Sequence, residues 1–164
     1  MKLAPPAPLL AEHQTAAFSC GHTSLDDWLK RRALSNQKAG ASRTYVLVAE
    51  DGRVVAYYAL ASGALACTSA TGKLRRNMPD PIPIAILGRL AIDRSFQGKG
   101  IGRALFRDAA LRVLSAAETI GIRGMVVHAI SDEAIAFYRA LGLEPSAYEP
   151  RTLMVTLADL RAAL

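Results

Sequence analysis

Leu90-Ala91-Ile92-Asp93-Arg94-Ser95-Phe96-Gln97-Gly98-Lys99-Gly100-Ile101-Gly102-Arg103-Ala104-Leu105 runs from an apolar strand through a polar turn to three alternating glycines that open a long helix. Glycine lets the backbone come within hydrogen-bonding distance of a ligand, and the first turn of a helix leaves N–H groups without partners. With the positive end of the helix dipole and Lys99 they make a site for an anion such as a phosphate. The Walker pattern, Gly-x-x-x-x-Gly-Lys-Ser/Thr, does not fit, because the order here is Gly98-Lys99-Gly100. The dinucleotide fingerprint Gly-x-Gly-x-x-Gly fails at Arg103, and it belongs early in a βαβ unit, whereas this turn lies past mid-chain. A purely structural turn is the remaining alternative until the rest of the chain is read.

A chain of 164 residues is long enough for one domain with a proper core, and 1–164 is expected to form a single domain. Hydrophobic residues at 51% against 21% charged ones exclude a disordered chain. After Lys2 come Pro5, Pro6 and Pro8, with no apolar run suited to a signal peptide. The most apolar segment, 56–67, is interrupted by Ser62 and Gly63 and is too short to span a bilayer. A cytoplasmic protein without a membrane partner is expected. Cys20 and Cys67 form neither a disulfide nor a metal pattern, so reduced thiols and no metal are expected. A net charge of +6 permits a polyanionic partner without demanding one.

In chain order, 5–14 reads as an extended lead-in or short edge strand. Ser24 is a candidate N-cap for a helix carrying Asp26 and Asp27 in its first turn, Leu25, Leu29 and Ala33 at helical spacing, and the basic run Lys30-Arg31-Arg32, ending near Ala39-Gly40. A hairpin follows, 43–49 and 53–62 about an Asp51-Gly52 turn, then a polar, basic loop over 68–81 with at most a turn of helix. The central strand spans 82–92 and the helix after the glycines 100–119, with Phe106, Ala109, Val113, Ala117 and Ile120 on one face and Lys99, Arg103 and Arg107 on another. A buried strand over 123–130, a helix over 132–140 closed by Gly142, a last strand over 151–156 and a closing helical turn complete the order. The fold class is α/β, a mixed sheet with a locally parallel strand–helix–strand unit.

Two motifs identify a family resemblance. Gln97-x-x-Gly100-x-Gly102, between strand and helix, resembles the pyrophosphate loop Gln/Arg-x-x-Gly-x-Gly/Ala of the GNAT superfamily of acetyl-coenzyme A-dependent N-acetyltransferases. Asp132-Glu133-Ala134-Ile135-Ala136-Phe137-Tyr138-Arg139-Ala140-Leu141-Gly142-Leu143 resembles the family's Ala-x-x-Phe-Tyr-x-x-x-Gly-Phe, with Leu143 in place of the last Phe. The opening Phe18-x-Cys20-Gly21-x-x-x-Leu25-Asp26-x-Trp28-Leu29 and the segment Pro83-x-x-Ile86-Leu87-Gly88-Arg89-Leu90-Ala91-Ile92-Asp93 are similar to the GNAT toxins of bacterial type II toxin–antitoxin modules, the TacT and AtaT group.

The resemblance implies a centrally splayed sheet flanked by helices, with the pantetheine arm of acetyl-coenzyme A in the gap. It assigns orientation of the cofactor to Leu90, Ala91 and Ile92, its pyrophosphate to Gln97, Gly98, Lys99, Gly100, Ile101 and Gly102, and further contacts to Arg103, Asp132, Ala134 and Phe137. Tyr138 is the expected general acid for the departing thiolate, against a purely structural hydrogen bond. The implied substrate is the α-amino group of aminoacyl-tRNA, whose acetylation blocks translation. The implied partners are a second copy of the chain and a ribbon-helix-helix antitoxin that neutralises the enzyme and binds operator DNA.

The residues add their own argument. The strand 84–92 offers Arg89 but no carboxylate base. A lysine amine, with pKa about 10.4, needs such a base, whereas an α-amine near 7.7–8.0 is partly neutral already. Glu50 and Asp93 are the carboxylates that could still lie close. Lys30, Arg31, Lys73, Arg75, Arg76 and Arg94 are candidates for tRNA phosphates. His22 reads as a turn residue, His128 as a core residue and Cys20 as a packed small hydrophobe. Two other readings compete: a GNAT enzyme acting on a ribosomal protein, polyamine or antibiotic, and a basic binding subunit with a merely structural loop. The basic excess argues against cationic substrates.

Overall fold

The computed structural model describes residues 3–164. Seven strands form one sheet in the order β1-β2-β3-β4-β5-β7-β6: β1 (Ala7–Pro8), β2 (Arg43–Val48), β3 (Val54–Leu65), β4 (Ile82–Ile92), β5 (Gly124–His128), β6 (Glu144–Pro145) and β7 (Thr152–Thr156). The helices are α1 (Thr23–Arg31), α2 (Ala33–Lys38), α3 (Gly72–Arg75), α4 (Ile101–Ala116), α5 (Asp132–Ala140) and α6 (Leu157–Ala163). By internal contacts the chain divides into two compact units: residues through Ala61 with Gly88–Asp108, and Ser62–Leu87 with Ala109–Leu164. The long strands β3 and β4 each run through both.

In the first unit β2 pairs antiparallel with β1 and β3, and Gly52, at φ +86°, makes the hairpin turn that the Asp-Gly pair predicts. Its core gathers Phe18, Trp28, Leu29, Ala33, Val46, Val54, Tyr57 and Ala91. Tyr57 lies at the centre, stacked on Trp28 and edge-on to Phe18, and its hydroxyl donates to the Leu25 carbonyl at 2.7 Å, so the buried phenol keeps a partner. The single helix expected after residue 24 is two. Arg32, at φ −120° and ψ −34°, breaks it between α1 and α2, a tertiary requirement that periodicity does not register. Ser24 is not the N-cap: His22 holds that position without a side-chain bond, and Asp26 instead accepts the Cys20 N–H at 2.9 Å.

In the second unit β4 pairs parallel with β5 over Ile84–Leu87 against Gly124–Val127, and β7 runs antiparallel to β5 and β6. Its core holds Ala70, Leu74, Ile82, Ile84, Val126 and Met154. Gly124 is required by close packing, since a Cβ there would meet the Val155 carbonyl and Leu74 Cδ1. The basic loop is ordered around α3, whose N-cap is Thr71 and whose last carbonyls, Leu74 and Lys73, accept 2.9 Å bonds from the Arg123 guanidinium. Helix α4 ends at Ala116 rather than 119, and Ile120, expected on its buried face, is 54% exposed beyond its end. The brief β6 carries too few residues to leave a pattern in the sequence.

Candidate active site

The turn after β4 is built from the first unit alone. Asp93 is buried and accepts three bonds, from the Ser19 N–H (3.0 Å), the Ser95 N–H (3.0 Å) and the Ser95 hydroxyl (2.7 Å). Burial alone would raise its pKa, but those donors outweigh it and hold the carboxyl below its usual range. Arg94–Phe96 form a 3-10 turn, with the Arg94 N–H on the Ser19 carbonyl at 2.8 Å. The Gln97 side-chain amide donates to the carbonyls of Cys20 (2.8 Å) and Ile92 (2.9 Å). Both its side-chain N–H groups are therefore committed to protein carbonyls.

Gly98 and Gly100 then take φ +76° and +79°, a region that costs any side chain about 1–2 kcal/mol. A Cβ at either would meet nothing within 4 Å, so it is the conformation and not local crowding that requires glycine. The first α-helical bond runs from the Ala104 N–H to the Gly100 carbonyl, and the N–H groups of Ile101, Gly102 and Arg103 lie ahead of it without intrahelical acceptors. Lys99 folds back over the Phe96 ring at 5.1 Å, while Arg103 is exposed. At the end of β4, Ala91 is buried in the core and Leu90 and Ile92 are half-buried. The pairing of β4 with β5 stops at Leu87, so Gly88–Ile92 lie beyond that ladder.

Helix α5 belongs to the second unit. Ser131 caps it, accepting the Ala134 N–H at 3.1 Å, with Asp132 and Glu133 in the first turn where the helix dipole favours them. Ala134 thus has its N–H committed, Asp132 is exposed, and half-buried Phe137 meets Tyr138 edge-on at 5.1 Å. Tyr138 is 6% exposed, and burial pushes its pKa above that of an ordinary phenol. Such a phenol holds its proton throughout the neutral range.

Of the other candidates, Lys30, Arg31, Arg76 and Arg94 are exposed with no carboxylate in ion-pair distance among the described residues. Lys73 pairs with Asp159 at 2.7 Å, and Arg75 donates to the Ala70 carbonyl at 3.4 Å. Glu50 sits exposed in the hairpin turn. His128 is not a core residue: it is exposed at the end of β5, with Nδ1 3.1 Å from the Thr152 hydroxyl oxygen. Cys20 is buried as expected, its thiol pushed up to about 11 first by burial and then by the hydrogen bond to Asp26. Among the described residues there is no cluster of three His, Cys, Asp or Glu side chains able to hold a metal, and no helix is long and apolar enough to cross a membrane. Sequence reading did not find the Arg123 clamp on α3, the Tyr58 hydroxyl bond to Asp108, or Arg89 lying over Trp28.

A mixed sheet whose central strand feeds a positive-φ glycine turn and a helix N-terminus defines an α/β class of fold with an anion-binding turn. Residues 42–145 match the acetyltransferase (GNAT) domain, and the chain belongs to that family. Within it, the chain is similar to the tRNA-acetylating toxin of Mycobacterium tuberculosis (strain ATCC 25618 / H37Rv), 51% identical over 148 residues that make up 90% of this chain and 89% of that one. Among solved structures it is similar to AtaT complexed with acetyl-methionyl-tRNAfMet (TM-score 0.89, 27% identity, 98% of each chain). It also resembles a tyrosine-to-phenylalanine variant of the AtaT toxin bound to the C-terminus of the antitoxin AtaR and to acetyl-CoA (TM-score 0.84, 28% identity, 98% of this chain and 96% of that one).

Proposed function

We propose that the chain is the toxin of a type II toxin–antitoxin pair and transfers acetyl from acetyl-CoA to the α-amino group of aminoacyl-tRNA, blocking translation. The observation that carries this reading is the 51% identity to a tRNA-acetylating toxin across 90% of the chain, with the glycine turn of a coenzyme A site inside the matched region. An antitoxin that caps the enzyme and brings the pair to operator DNA, a homodimer, and a cytoplasmic location where charged tRNA is available belong to the same reading.

The residues divide the chemistry. Backbone N–H groups from Gly98 to Arg103 hold the pyrophosphate, where the helix dipole adds to them. Backbone of Leu90, Ala91 and Ile92, beyond the β5 ladder, orients the thioester arm. The amine attacks the thioester carbon, the C–S bond breaks, Tyr138 gives its proton to the departing thiolate, and the surplus proton on the nitrogen leaves to solvent, from which the phenolate is reprotonated. A phenol whose pKa is raised by burial is protonated when that step needs it. No carboxylate is assigned as base. Asp93 is held ionised but with its oxygens engaged by Ser19 and Ser95, and an α-amine near 7.7–8.0 supplies neutral nucleophile without one.

The test is a translation extract given the purified protein with and without acetyl-CoA. Arrest only in its presence, relieved by fresh aminoacyl-tRNA, is expected. Arrest independent of acetyl-CoA, or none at all, would remove the reading.

A further inference from the structure

Arg89 occupies the central strand two residues before Ala91, whose side chain lies in the same core as Trp28 and Tyr57. Residues two apart on a strand share a face, so Arg89 projects toward α1. Its guanidinium carbon lies 4.3 Å from the centroid of the Trp28 ring. Trp28 is itself fixed: it stacks on Tyr57 at 6.0 Å and 13°, and Tyr57 is pinned by Phe18 and by its bond to the Leu25 carbonyl. The platform under Arg89 is therefore a rigid aromatic stack of the buried core.

A guanidinium carries five N–H donors in a planar fork. Among the described residues none of them reaches a protein acceptor, and no carboxylate lies within ion-pair distance of Arg89. Arg89 is half-buried through its stem and ring contact, while its guanidinium nitrogens stay open to solvent and so to a ligand. A ring face attracts the cation but accepts no hydrogen bond in the guanidinium plane. An oxyanion is the ligand that such an open, preoriented fork suits, and a phosphate would take it bidentately. Lys30 and Arg31, exposed on the same helix as Trp28, extend the positive charge.

We propose that Arg89 binds a phosphodiester of the aminoacylated 3′ end of the tRNA, with its guanidinium held for that contact by Trp28. This rests on the proposed function above. Arg89 directly precedes Leu90–Ile92, the segment assigned to the thioester arm, so a group it grips lies close to the reacting amine. On an aminoacyl-tRNA the oxyanions nearest the amine are those of the terminal nucleotides. Arg89 is thus a specificity residue, a cation at a place on the central strand that has no carboxylate.

The test compares two acceptors, in vitro charged aminoacyl-tRNA and the phosphate-free 3′-O-aminoacyl adenosine, using the full chain and its Arg89→Gln and Arg89→Lys variants with melting temperatures matched to the parent. Arg89→Gln should raise KM for aminoacyl-tRNA about 10- to 100-fold, the range for losing a charge-assisted hydrogen bond. It should lower the salt slope of kcat/KM by about one unit. The adenosine acceptor and acetyl-CoA affinity should not change. Arg89→Lys should restore the salt slope, since the charge remains, but recover KM only in part, since the stacked fork does not. Equal losses on both acceptors, or an unchanged KM for aminoacyl-tRNA, would overturn the proposal while leaving the proposed function standing. A parent protein active on neither acceptor would overturn the proposed function, and this assignment with it.

Discussion

The glycine turn after β4 and the helix α5 carry the two halves of the proposed chemistry by opposite means. The turn works through main chain: two glycines at positive φ and N–H groups ahead of the first helical bond, with the Gln97 side-chain amide turned to an internal duty. Helix α5 works through one side chain, a tyrosine whose usefulness comes from burial. A backbone device should fail in affinity when it is damaged, and a buried proton donor should fail in turnover. That division can be broken by experiment.

The largest effect is expected at Gly100→Val. A β-branched residue at φ +79° is strained, and its side chain would stand in the open space that the proposed function gives to the pyrophosphate. Isothermal titration should show acetyl-CoA binding abolished with the fold retained, and unchanged affinity would take the loop out of the cofactor site. Next comes Tyr138→Phe, which should lower kcat by roughly 10²–10⁴-fold, the range for a positioned general acid, at unchanged acetyl-CoA affinity. A normal kcat would make Tyr138 structural.

The pH dependence sharpens the same contrast. A raised phenol pKa leaves the acid form in place as pH rises, so kcat should climb through the amine's titration at about 7.7–8.0 and show no fall below about 10. A fall near pH 8 would mean a different donor.

Asp93→Asn is smaller. It places an amide against three donors, and should cost about 1–3 kcal/mol in denaturant unfolding at neutral pH. Because the native carboxyl is held below its usual pKa, its contribution is present above that range and is lost as pH falls through it; the variant should lack that acid limb. A variant as stable as the parent at pH 7 would show the three bonds to be idle.

The smallest effects belong to the cations, where the structure separates residues that look equivalent in the sequence. Lys30→Glu with Arg31→Glu, on an open face of α1, should cut the salt slope for aminoacyl-tRNA by about two units. Lys73→Glu should change it less, since Lys73 is already paired with Asp159, and should mainly loosen α3 against α6. Arg75→Glu with Arg76→Glu falls between, because Arg75 is tied to the Ala70 carbonyl and Arg76 is open. Equal slopes for all three would mean that the contacts with protein do not decide which cations meet the tRNA.

What could be read ahead of the structure follows the same line. The limits of β4 are legible because a proline-bearing loop and the glycine turn bracket a largely apolar run, and the hairpin turn is legible because Asp-Gly has one common use. Positive-φ glycines are backbone facts written in residue type. The break at Arg32, the early end of α4 and the exposure of His128 are not so written, since each depends on what packs from elsewhere in the chain. Gln97 shows the limit most clearly: its type matches the family pattern, yet only three-dimensional contact reveals that its amide bonds two carbonyls, one of them 77 residues away. The stack of Arg89 on Trp28 is legible in neither residue alone.

The central claim is acetylation of the α-amine of aminoacyl-tRNA, and the most direct measurement is the mass of its 3′ terminus. Charged tRNA incubated with the protein and acetyl-CoA, then digested with nuclease, should yield aminoacyl-adenosine heavier by one acetyl group, with fragmentation placing that group on the α-nitrogen. The Gly100→Val sample should lack it, and the Tyr138→Phe sample should gain it roughly 10²–10⁴-fold more slowly. Unshifted mass for every aminoacyl-tRNA tried, from a protein that still binds acetyl-CoA, would contradict the account.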